Sequence, residues 1–100
     1  MKAIGILNPG PESALCIEER PIPTPGPGEI LIKVAAIGVN RGDLLQREGH
    51  YPPPLGASDL PGLEVAGEVV TLGPETQAFS PGDRVCALLP AGGYAEYVTA

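Results

Sequence analysis

Fourteen glycines and thirteen prolines are spread along this 100-residue sequence, and the apolar runs left between them are short. Proline withholds a backbone donor, and glycine supplies turn conformations that other residues avoid. A chain punctuated this often predicts turn-rich β structure. Its length suits one domain with a single core. Hydrophobic residues make up 43% and charged residues 18%, a globular balance and not a disordered one.

Residues 1–8 carry Ala3, Ile4, Ile6 and Leu7 and run into the turn signal NPGP. Residues 13–20, SALCIEER, alternate through Leu15, Ile17 and Glu19 and predict a second strand. PIPTPGPG (21–28) is an ordered connection, since its prolines deny donors to a central ladder. EILIKVAAIGV (29–39) predicts the strongest strand, with Ile30, Ile32 and Val34 on one face. Leu31 and Ala35 occupy the other face, which Lys33 marks as only partly buried. The period then changes. RGDLLQRE lacks β-branched residues and stops at Gly49, which predicts a short helix. A proline-rich loop, YPPPLGASDLP (51–61), leads to a strand over 63–72 with a bend or bulge at Gly67. Pro81-Gly82-Asp83 predicts a type II turn, followed by strands over 84–89 and 94–98 about a PAGG turn. The expected fold is all-β with one short helix, a bent barrel occupying residues 1–100.

The tripeptide Arg41-Gly42-Asp43 matches an adhesion signal, which would need an exposed loop on a secreted protein. Here it falls at a predicted helix start. Asn40 is placed to cap that helix, and Asp43 stands at the third position, a shorter relative of the capping box. The helix reading accounts for both residues, and the adhesion reading is set aside.

A net charge of −6 and a pI near 4.5 suit neither nucleic acid nor an anionic membrane. The N-terminus lacks the apolar core and cleavage site of a signal peptide, and no run is long enough to span a bilayer. The expected location is the cytoplasm, where Cys16 and Cys86 stay reduced. They stand seventy residues apart without a CxxC, so buried packing is the expectation for both. Taken singly, Tyr51, Glu64 and His50 each have a plain structural explanation: a barrel cover, a solvated strand residue and a surface side chain.

Their order along the chain says more. GEILIKVAAIGVNRGDLLQREGHYPPP, LPGLEVAGEVVTLGP and PGDRVCALLPAGGYAEYV together resemble the N-terminal domain of medium-chain dehydrogenases/reductases. The nearer resemblance is to the zinc-free quinone oxidoreductases related to zeta-crystallin. It implies a GroES-like catalytic domain, a twisted and partly open β-barrel, with a Rossmann domain expected beyond it. Zinc-dependent relatives place a cysteine at Asn40 and a histidine at Leu63, and neither residue here can replace those ligands. CALLPAGG leaves no room for the lobe that holds structural zinc. The resemblance therefore implies no metal.

It also implies NADPH as cofactor, a quinone or similar conjugated carbonyl as acceptor, and a homodimer. Hydride arrival builds negative charge on the acceptor oxygen, so neutral donors aimed there would help. Asn40 and Tyr51 match positions lining the substrate end of the family's cleft, and both can donate. Asn40 is also the expected cofactor contact, and Asp43 keeps its capping role. Two other functions stay open: reduction of α,β-unsaturated carbonyls such as enones or alkenals, and a non-enzymatic GroES-like binding or structural module.

Overall fold

The computed structural model describes residues 1–10 and 14–100. Strand β1 (Lys2–Leu7) pairs antiparallel with β2 (Ala14–Glu19), placing Ile4 opposite Ile17 and Ile6 opposite Leu15. Ser13, expected at the start of β2, lies outside the described residues. Four more strands form a second antiparallel sheet. They are β3 (Ile30–Ile37), β4 (Glu64–Leu72), β5 (Arg84–Leu88) and β6 (Tyr97–Thr99), in the order β5-β4-β3-β6. The helix α1 (Arg41–Arg47) follows β3 and ends at Gly49, whose φ of +85° suits glycine at that position.

The alternation in β3 works as expected. Ile30 and Ile32 are buried and join Val65, Val69, Leu89 and Val98 in the core, with Val34 packed against it. On the other face Leu31 is buried while Lys33 and Ala35 are exposed. The ladder between β3 and β4 slips twice. One slip lies between Leu31 and Ile32, the other between Val34 and Ala36, where Gly67 and Ala66 oppose them. The irregularity expected at Gly67 is therefore present, with Ala35 of the facing strand as the extra residue. Gly67 is required there because a Cβ would meet the Lys33 carbonyl oxygen at 2.1 Å.

The two sheets are joined through residues 94–99. Ile4 N–H donates to the Tyr94 carbonyl at 2.8 Å and Ala3 bridges Ala95, while Val34 N–H donates to the Glu96 carbonyl at 2.8 Å. The result is a mostly β, GroES-like barrel whose sheet does not close. The strand expected over 94–98 is accordingly shorter and later. Tyr94 N–H bonds Pro61 and its carbonyl serves β1, so regular pairing with β3 is confined to Tyr97–Thr99.

The Pro81-Gly82-Asp83 turn forms with Gly82 at φ +96°, as a type II turn requires. The cysteines depart from expectation: Cys16 is half-buried and Cys86 is exposed. Cys86 lies on β5, the outermost strand of its sheet, where alternate side chains face water. Among the described residues, no helix is long and apolar enough to cross a membrane.

Candidate functional site

The site is built around the start of α1. Asn40 precedes the helix in extended conformation (φ −124°, ψ 159°), and its carbonyl accepts the N–H of Asp43 at 3.0 Å. Asp43 Oδ2 accepts the N–H of Asn40 at 2.9 Å, closing the capping arrangement expected from N-x-x-D. Asp43 is only 5% exposed, so the Arg41-Gly42-Asp43 tripeptide is no adhesion loop.

The same Asp43 Oδ2 accepts the hydroxyl of Tyr94 at 2.8 Å. Oδ1 is buried without a partner among the described residues. Burial, reinforced by the hydrogen bond to Asp43 and its charge, pushes the Tyr94 phenol up to about 12. Neither residue meets the other by local sequence. They are brought together because residues 60–63 run alongside 89–94, with Gly92, Gly93 and Tyr94 N–H groups donating to Leu60, Gly62 and Pro61. Gly62 and Gly93 let the two backbones cross, since a Cβ on Gly62 would lie 2.6 Å from the Gly93 Cα.

Tyr51 begins the proline-rich loop, and its ring is 40% exposed. It lies over the first turn of α1. A Cβ at Gly42 would meet Tyr51 Cε2 at 3.8 Å and Leu63 Cδ1 at 3.0 Å. The loop is fastened at its far end. Arg20 donates twice to the Asp59 carboxylate, at 2.8 and 2.9 Å, and once to Glu18 at 2.8 Å. The buried Gln46 of α1 donates to the Asp59 carbonyl at 3.1 Å. The Arg20 guanidinium holds the Asp59 carboxyl below its ordinary range.

Of the residues singled out in the sequence, Tyr51, Gly42 and Leu63 therefore converge on the helix start that Asn40 caps. His50 is an exposed neighbour whose one hydrogen bond among the described residues runs from its backbone N–H to the Leu45 carbonyl. Two contacts were not read from the sequence. Asn40 Nδ2 donates to Glu64 Oε2 at 3.2 Å, and Tyr94 anchors Asp43. The first had a signal in Gly38, whose missing Cβ leaves room for the Glu64 carboxylate. The second had none.

The family described as "Alcohol dehydrogenase GroES-like domain" matches residues 26–100. The chain belongs to that family. Its GroES-like barrel is similar over 84 residues, at 45% identity, to the chloroplastic quinone-oxidoreductase QR1 of Triphysaria versicolor. That alignment takes in 79% of this chain and 26% of the relative. Among solved structures it is similar to the quinone oxidoreductase of Pseudomonas syringae pv. Tomato, with a TM-score of 0.84 and 36% identity. It is also similar to the Escherichia coli quinone oxidoreductase complexed with NADPH, with a TM-score of 0.82 and 33% identity. These matches cover 98% and 99% of this chain, but only 30% of each of those proteins. This GroES-like chain thus spans less than a third of each of these three relatives.

Proposed function

We infer that this chain is the catalytic GroES-like domain of an NADPH-dependent quinone oxidoreductase. The observation that carries the reading is the set of residues gathered at the start of α1. There the partly exposed Tyr51 and the apolar side chain of Leu63 both border Gly42, two residues after the capping Asn40. Two neutral donors beside an apolar wall suit a flat carbonyl compound that becomes an anion as it is reduced.

The Asn40 side-chain oxygen faces the Asp43 N–H in the capping box and one amide N–H goes to Glu64, which leaves the second amide N–H as a donor that fits a carbonyl oxygen of a nicotinamide nucleotide or an acceptor. NADPH, when bound, supplies the hydride. The work of this chain is to receive the acceptor and steady the charge that appears on it. Tyr51 donates its hydroxyl hydrogen to the acceptor oxygen, and Asn40 offers its amide N–H to the same charge. Leu63 and the ring of Tyr51 keep water from one side. Neither donor changes its own charge as it does so.

The test is steady-state kinetics of the complete enzyme on a panel of quinones and enones. Tyr51→Phe is expected to lower kcat with a good quinone about tenfold while leaving KM within about twofold, the pattern of a donor that acts in the transition state. A kcat that survives the change removes Tyr51 from the mechanism. Higher kcat/KM on enones than on every quinone assigns the protein to the reduction of α,β-unsaturated carbonyls instead.

A further inference from the structure

Asn40 is held by its capping box with Asp43 and by one contact that capping does not explain. Its backbone N–H is taken by Asp43, which belongs to the helix start. Its side-chain Nδ2 is directed across the sheet to Glu64 Oε2 at 3.2 Å, twenty-four residues further along the chain. An asparagine amide can be presented either way round, with nitrogen and oxygen exchanged. A carboxylate can only accept, so it selects the orientation that turns nitrogen toward it and rejects the one that sets oxygen against oxygen. With Nδ2 on Glu64, Oδ1 stays turned to the Asp43 N–H of the capping box, and the second amide N–H is presented in a fixed sense.

The placement of Glu64 is built into the backbone. Gly38 N–H donates to the Glu64 carbonyl at 3.2 Å, which sets the end of β3 against the start of β4. The Glu64 side chain then folds over Gly38. A Cβ at Gly38 would lie 2.4 Å from both Glu64 Cδ and Oε1. Gly38 has no left-handed φ, so the backbone does not itself demand glycine. What the glycine provides is room for the carboxylate to reach Asn40.

We propose that Glu64 is a positioning residue for the reaction, its carboxylate fixing which way round Asn40 presents its amide to cofactor and acceptor. The role rests on the reading of Asn40 given under Proposed function. Glu64 touches neither reactant; it acts through Asn40.

Two variants disturb the contact by independent routes. Glu64→Gln keeps the shape but replaces an acceptor by a group that can face the amide either way. Gly38→Ala keeps Glu64 and Asn40 and displaces the carboxylate, because the Glu64 side chain must move from Cγ outward into another rotamer while no backbone atom lies among the nearest contacts. The first readout is NMR of side-chain amides on this chain, where Asn8 and Asn40 are the only asparagines. One Asn40 amide proton is expected to be shifted downfield and protected from exchange, and both variants should abolish that signature. The second readout is kinetics of the complete enzyme. Both variants should lower kcat about fivefold to tenfold with KM for the quinone within about twofold, and neither should slow an Asn40→Ser enzyme further.

An Asn40 signature absent from the unsubstituted chain, or unchanged in the variants, overturns the contact whatever the rates do. If the signature disappears but kcat is kept, while Asn40→Ser is slow, Glu64 holds the amide without serving the reaction. The proposal then fails and the reading of Asn40 stands. If Asn40→Ser also keeps kcat, the reading of Asn40 falls and takes the positioning role with it.

Discussion

Asn40 combines a backbone duty with a side-chain duty, and the contact with Glu64 changes what its substitution should do. Aspartate caps a helix as well as asparagine. At this position, however, it would set a second carboxylate where Nδ2 now lies 3.2 Å from Glu64 Oε2. Asn40→Asp is therefore expected to lower Tm, and adding Glu64→Gln should restore it, because the glutamine amide can donate to the new carboxylate. Thermal melts of the two variants check this; equal Tm values would show that the two side chains do not meet. Tyr94 carries a second test. Burial and the Asp43 carboxylate favour the neutral phenol in the folded chain and push it up to about 12. The resulting stability is fully present below about pH 10, the ordinary phenol range, and is lost as pH rises toward 12. Urea midpoints should fall across that window in the unsubstituted chain and fall less in Tyr94→Phe. Parallel curves would mean that Tyr94 does not hold its proton through Asp43.

Strands and helix were readable where one residue type decides the matter locally. The alternation of Ile30, Ile32 and Val34 marks β3, and the loss of β-branched residues between Asn40 and Gly49 marks α1. What was missed depends on long-range pairing. The strand expected over 94–98 gave up its first residues because Tyr94 is shared between Pro61, Ile4 and Asp43, partners far away in sequence. Cys86 was expected inside, but a strand's position at the edge of a sheet is set by topology, not by its own composition. Asn40, Tyr51 and Leu63 could be named from the sequence, whereas the contact that orients Asn40 needed the register of β3 on β4. The crossing of 60–63 with 89–94 holds this arrangement together, and Gly62 is its tightest point. Its φ of +113° and the 2.6 Å approach to the Gly93 Cα leave no space for a side chain. Gly62→Ala is therefore expected to cost about 3 kcal/mol or more, by backbone strain and overpacking combined. Denaturant unfolding measures it, and a loss under about 1 kcal/mol would show that the crossing relaxes.

The barrel as a whole has a core of its own and a site that opens outward. Ile32 and Val69 are almost wholly buried, and the core cluster draws on β3, β4, β6 and Leu89, so the chain contains what cooperative folding requires. In the proposed reading, Asn40 and Tyr51 address only the reacting end of a dinucleotide. Most of the affinity for such a cofactor comes from its pyrophosphate, commonly held by a glycine-rich turn leading into a helix. This sequence has no G-x-G-x-x-G, and the one helix among the described residues is already capped by Asn40 and Asp43. Folding and cofactor binding should therefore separate. The 100-residue chain is expected to unfold in a single transition, yet to show no saturable NADPH binding at micromolar concentrations, the range of roughly −8 kcal/mol. Calorimetric titration, run beside a thermal melt of the same sample, reads both. A folded chain that binds NADPH with micromolar Kd would place the pyrophosphate contacts inside this barrel, and a chain without a cooperative transition would show that the core needs further structure to form.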